Sequence, residues 1–170
     1  MKSSISYPAE DIVLGILEIE NGREAEKQGE QELLKQMLGY NVVLNHNEDG
    51  KPLIERYNIS ISHTKGFVAI LLSKGLEVGI DIEYHSDRIQ KIARRFLRPD
   101  EIYTTTSDLL IAWCAKEAAY KLFSEEHLTY QEMKVNISEN QLIDLKTTIT
   151  INFVPLIHSE YVIVMCWANK

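Results

Sequence analysis

Two acids one residue apart close one of the most apolar stretches of the chain, Val78–Glu83 (VGIDIE). In a strand, side chains alternate between faces, so Asp81 and Glu83 emerge together while Val78, Ile80 and Ile82 point the other way. A strand end reaching water would tolerate such a pair at little cost. A third acid, Glu117, lies with Lys116 and Lys121 as the only charged residues of Leu109–Phe123 (LLIAWCAKEAAYKLF). If that segment is a helix crossing the strand end, Asp81, Glu83 and Glu117 form a cluster. At about 5 Å and an effective dielectric near 20, each pair of carboxylates repels by roughly 3 kcal/mol. Such a group takes up a proton or a cation, and an all-oxygen donor set favours Mg²⁺, which keeps several waters and recruits substrate phosphates. Lys121, one turn after Glu117, would then face anionic oxygens. The chemistry expected is phosphoryl transfer. An alternative takes Asp81, Glu83 and His85 as an alternating triad for a metal hydrolase or oxygenase.

Two turns add candidates. In SISHTKG, residues 60–66, the hydroxyls of Ser62 and Thr64, the His63 ring and the Lys65 ammonium precede Gly66, a plausible phosphate cradle at a strand end. DGKP, residues 49–52, reads as a turn that leaves Lys51 at the surface.

The elements that must position these residues follow from pattern. DIVLGILEIE is a strand, and REAEKQGEQELLKQMLG a helix closed by Gly39. YNISIS, FVAILLS and EVGIDIE are three successive strands, the last two joined by a Lys74-Gly75 turn. Asp87 is expected to cap a helix whose Ile89, Ile92, Ala93, Phe96 and Leu97 form an apolar stripe ending before Pro99. Asp108 is expected to cap the next helix, apolar nearly all round and therefore buried. MKVNIS, TTITINFV and YVIVMCWA read as closing strands. The strand–helix–strands order occurs twice, so the expected class is α+β, with two similar halves meeting near residue 75.

Composition narrows the function classes. With 170 residues, 45% of them hydrophobic, the chain can bury a real core. No apolar run reaches the roughly 20 residues of a membrane span, and Glu10 and Asp11 spoil a signal-peptide reading. A cytoplasmic protein is expected, with Cys114 and Cys166 as reduced core residues. The net charge of −7 argues against nucleic acid, but charge is unevenly distributed. Eight acids fall between Glu10 and Glu32, whereas Arg88–Arg98 holds Arg88, Lys91, Arg94, Arg95 and Arg98 and no acid.

Taken in order, ISISHTKG, VGIDIE, RIQKIARRFLRPDE and WCAKEAAYKL resemble the 4′-phosphopantetheinyl transferases, in particular the surfactin-activating type. The resemblance runs from about Gly50 to Leu122. It implies two pseudo-symmetric halves, each a small antiparallel sheet packed by helix, with residues 1–75 on the coenzyme A side, 76–170 carrying the metal and catalytic motifs, and the site between them. It implies a holo-acyl-carrier-protein synthase activity, moving phosphopantetheine from coenzyme A to a carrier-protein serine and releasing adenosine 3′,5′-bisphosphate. Asp81, Glu83 and Glu117 would hold Mg²⁺, Glu117 would also be the base, and Lys121 would meet the pyrophosphate. Ser62, His63 and Lys51 would contact coenzyme A phosphates. An acyl or peptidyl carrier protein would dock on the basic helix Arg88–Arg98 of a monomer. Two departures stand out: Ser124, Glu125, Glu126 and His127 replace a glycine-rich turn, and Glu30, Gln31 and Glu32 occupy a region where a basic residue is usual. A non-catalytic carrier-protein or coenzyme A binding module is the remaining alternative.

Overall fold

A computed structural model describes all residues, Met1–Lys170. In chain order the elements are β1 (Ser3–Ala9), β2 (Ile12–Glu18), α1 (Arg23–Leu38), β3 (Asn45–His46), β4 (Pro52–Leu53), β5 (Asn58–Thr64), β6 (Phe67–Ser73), β7 (Glu77–Tyr84), α2 (Arg88–Phe96), α3 (Thr106–Leu122), β8 (Met133–Asn136), β9 (Gln141–Asp144), β10 (Thr150–Ile157) and β11 (Tyr161–Ala168). The class is α+β with antiparallel sheets. One sheet runs β1-β2-β6-β5 and the other β7-β11-β10-β9-β8; β3 and β4 form a separate short pair.

The two sheets stack, and strand alternation explains how. On β6, Val68, Ile70 and Leu72 pack beneath Leu33 and Leu34 of α1, while Ala69 and Leu71 turn the other way. They meet Val78, Ile80 and Ile82 of β7 and Ile163 and Met165 of β11. The far face of the second sheet buries Val162, Val164 and Cys166 under α2 and α3. Strands covered on both sides read as continuous apolar runs, as FVAILLS and YVIVMCWA do.

The sheets are also tied at their edges. Ser60, Ser62 and Thr64, spaced by two on β5, accept the N–H groups of Ile80, Ile82 and Tyr84 on β7 at 3.1, 3.2 and 3.1 Å. The Asn58 amide donates to the Leu76 carbonyl at 2.8 Å. Side chains here replace a backbone ladder, satisfying an edge that would otherwise be buried with open donors.

Several expectations change. The Lys74-Gly75 turn joins β6 to β7 as expected, but the two strands do not pair: β7 pairs with β11, and the turn passes the chain between sheets. Asp11 fixes it by accepting from the N–H groups of Lys74 and Gly75 and from the Ser73 hydroxyl. Thr105, not Asp108, caps α3, accepting the Asp108 N–H at 3.1 Å. Asp87 makes no cap bond on α2; its carboxylate accepts from the Thr106 hydroxyl at 2.7 Å and links the two helices. Strands β1 and β9 lie where no strand is expected from the sequence. Both cysteines are free and buried, and no helix is long and apolar enough to cross a membrane.

Candidate active site

Gly79 decides where the site forms. A Cβ at this position would lie 2.1 Å from the Ala118 carbonyl oxygen, so only glycine lets α3 lie this close to β7. Glu117 and Lys121 flank that crossing on α3, and Asp81 and Glu83 follow it on β7. Lys121 reaches across, donating to the Ile80 carbonyl at 2.9 Å and to Asp81 Oδ1 at 3.0 Å.

Each carboxylate has its own donor. Asp81, 5% exposed, accepts from the Ser62 hydroxyl at 2.9 Å and from Lys121, both through Oδ1. Its Oδ2 is buried without any hydrogen-bond partner. Glu83 accepts from the Trp113 indole at 3.2 Å, with the Thr64 hydroxyl 3.5 Å from its other oxygen. Glu117 accepts from the Tyr130 hydroxyl at 2.9 Å. Trp113 and Tyr130 lie against one another, ring centroids 5.5 Å apart. Sequence reasoning assigned neither a role. Trp113 was within reach of it, one turn before Glu117 on the same helical face; Tyr130, on a separate segment, carried no local signal.

The electrostatics are those of crowded acids. Burial, then the Asp81 charge, pushes Glu83 up to about 7. Burial and Asp81 likewise raise Glu117, against the opposing pull of the Tyr130 bond and of Lys121. Its own burial, then the Asp81 and Glu83 charges and the nearness of the Asp81 carboxylate, hold the Cys114 thiol well above its ordinary value and so protonated.

The donor chemistry suits a hard cation. A buried, unpartnered Asp81 oxygen beside two acids reluctant to ionise is relieved by one positive charge, and all donors are oxygens. No three His, Cys, Asp or Glu side chains converge into a ready-made cage, because the lysine, indole and phenol donors hold the acids individually. His85 does not join them. It lies beyond β7, exposed, with Nε2 2.9 Å from the His158 carbonyl oxygen, so the Asp81/Glu83/His85 triad has no geometric basis.

Beside the carboxylates a cleft of about 230 Å³ opens, with Lys51, Ser60, Glu117, Tyr120, Lys121 and Ser124 on its walls. Two of the lysines singled out in the sequence therefore face one cavity. Lys51 is held there by Glu77 at 2.8 Å. The supposed phosphate cradle is divided by strand alternation. Ser62 and Thr64 turn toward β7 and are hydrogen-bonded there, whereas His63 turns toward α1, 3.6 Å from Glu26 and 3.7 Å from Glu30. Ser62 thus serves the site by holding Asp81 rather than by presenting a free hydroxyl. Of the acidic turn after Lys121, Ser124 lines the cleft, and His127 comes within 3.5 Å of Asp49, another lining residue.

The family model for the 4′-phosphopantetheinyl transferase superfamily matches residues 77–166, more than half of the chain and all of the β7–α3 crossing. The chain belongs to that superfamily. No curated protein sequence matches it. Superfamily members transfer phosphopantetheine, with coenzyme A as substrate and carrier proteins as acceptors. The matched span includes Asp81, Glu83, Glu117 and Lys121, and leaves out Lys51, Ser62 and His63.

Proposed function

We propose that this chain is a Mg²⁺-dependent phosphopantetheinyl transferase of the surfactin-activating type, acting on a serine of an acyl or peptidyl carrier protein. The observation that carries this reading is the Asp81–Glu83–Glu117 group, with one buried carboxylate oxygen unpartnered, beside a cleft walled by Lys51 and Lys121. Residues 1–75 would supply the coenzyme A side, residues 76–170 the catalytic side, and the protein would act as a monomer.

Asp81, Glu83 and Glu117 would hold the ion, which when bound neutralises phosphate charge. Lys121, already on the cleft wall, meets pyrophosphate oxygens. Lys51, on the same wall, would meet the 3′-phosphate region of coenzyme A with the ammonium donors that its Glu77 pair leaves free. Glu117 is also the candidate base for the acceptor serine. It takes the proton of the acceptor serine as the oxygen attacks the β-phosphorus. The bond from that phosphorus to the bridging oxygen breaks, and adenosine 3′,5′-bisphosphate leaves with the electron pair. Positioning supplies much of the remaining rate.

On α2, Arg88, Lys91, Arg94 and Arg95 are exposed and form the docking face for an acidic carrier. Arg98 does not belong to it, since its guanidinium is tied to Asp100 and to the Gln131 carbonyl. A second reading, a binding module without turnover, is favoured by one corner alone: His63 stands between Glu26 and Glu30, an arrangement that repels a phosphate. Mass spectrometry of apo-carrier proteins incubated with coenzyme A, Mg²⁺ and this protein separates the two. Addition of one phosphopantetheine with release of adenosine 3′,5′-bisphosphate supports the transferase; complex formation without either product supports the module.

A further inference from the structure

Lys116 is completely buried, yet it has no part in the chemistry above. Its ammonium pairs with Glu101 and donates to the Phe96 carbonyl at 2.7 Å and the Tyr130 carbonyl at 3.1 Å. Glu101, 5% exposed, is itself fully engaged, accepting the Arg98 N–H at 2.8 Å and the Val135 N–H at 2.7 Å. The pair therefore pins three backbone segments at one point. One of them carries Tyr130, and the side chain of that residue returns over α3 to donate to Glu117, the neighbour of Lys116. The ring is fixed as well: Phe96 packs edge-on against Trp113 at 5.1 Å, and Trp113 against Tyr130. Backbone anchor and ring packing together leave the phenol hydroxyl little freedom.

We infer that Tyr130 is a positioning residue for Glu117, its hydroxyl aiming the carboxylate and its backbone locked by the buried Lys116–Glu101 pair. The inference rests on the transferase reading of the site. It also explains the spacing W-x-x-K-E in residues 113–117: Trp113 holds Glu83 and supports the Tyr130 ring, Lys116 fastens the Tyr130 backbone, and Glu117 receives the hydroxyl. Three motif residues and one residue outside the motif act as a single support. Partners that orient a ligating or reacting carboxylate typically carry about 10- to 100-fold in metal affinity or activity.

The test is Tyr130→Phe in the full chain, which keeps the ring and removes only the donor. Mn²⁺ affinity is read by electron paramagnetic resonance, and kcat and the KM for coenzyme A with a carrier substrate. The expected result is about a tenfold weaker Mn²⁺ affinity and a similar loss in kcat, with the coenzyme A KM nearly unchanged. A merely structural tyrosine would lower the melting temperature without moving Mn²⁺ affinity, and that result overturns the inference. In a Glu117→Ala background, Tyr130→Phe should have no further effect on Mn²⁺ binding; a full additive loss also overturns it. Wild-type protein that neither binds Mn²⁺ nor modifies any carrier removes the transferase reading and this inference with it. An active wild type matched by Tyr130→Phe removes this inference alone.

Discussion

Helix α3 carries two lysine–carboxylate pairs, Lys116–Glu101 and Lys121–Asp81, little more than a turn apart and built to opposite standards. All three ammonium donors of Lys116 have partners, both Glu101 oxygens accept, and both side chains are sealed from water. Lys121 is 29% exposed, shares its charge with a carbonyl, and leaves Asp81 Oδ2 with nothing. The complete pair needs no visitor and behaves as a structural bolt. The incomplete pair keeps a buried oxygen whose desolvation is not offset within the fold, and that deficit is what a bound cation would cancel. The lesson is that burial of charge alone does not mark a site; what sets Asp81 apart is an unpartnered oxygen together with two further raised acids and an adjoining cleft.

The largest effect expected is on the bolt. Lys116→Ala strands the Glu101 charge in the core and should cost about 3–5 kcal/mol in denaturant unfolding, whereas the paired change Lys116→Met with Glu101→Gln, which removes that charge but gives up one acceptor for a backbone N–H, should recover part of the loss. Equal losses in the two would mean that packing, not charge satisfaction, sets this region. Asp81→Asn should show the converse behaviour. Transfer should fall by about 10²- to 10³-fold, while the melting temperature holds or rises because crowded repulsion is relieved. A protein destabilised by Asp81→Asn but still active would erase the distinction between the pairs.

A smaller change is expected away from both. Arg94→Glu with Arg95→Glu should slow carrier modification by about tenfold at low salt, through association, and the difference should shrink as ionic strength rises. Stopped-flow rates across a salt series check this, and a salt-independent defect would place the carrier elsewhere. The subtlest prediction concerns pH. Glu83 binds its proton more tightly folded than unfolded, so its contribution to stability is fully present below the ordinary glutamate value, near 4.5, and is lost as pH rises toward about 7. Melting temperature measured without divalent ions should therefore decline across that window, and Glu83→Gln should flatten the decline. An unchanged slope in the variant would assign the titration to another group.

Particular elements show how far the sequence could be read. Strand β5 follows from its period-two alternation, β6, β7 and the buried character of α3 from the near-continuous apolar runs that cover on both sides produces, and α1 from its helix-forming run closed by Gly39. Strand β1 escaped because nearly all its residues are exposed, leaving no alternation to detect. The Lys74-Gly75 turn was legible as a turn near the meeting of two halves, but the pairing of β7 with β11 was not, since it involves residues some eighty positions apart. Ser62 and Thr64 looked like phosphate donors because an unattached hydroxyl and one engaged across a sheet edge are the same letter.

From sequence alone, residue types and spacing determined that Asp81 and Glu83 share a strand face, that Glu117 and Lys121 share a helix face, and that these motifs occur in the order of a phosphopantetheinyl transferase. Tertiary structure decided that the two faces meet, through the close approach at Gly79. It also decided which charges are answered: Glu101 closes on Lys116, Tyr130 reaches Glu117, and Asp81 keeps one oxygen open. The physical reason is that periodicity is a property of one element, whereas satisfaction of a buried charge depends on every segment that folds around it.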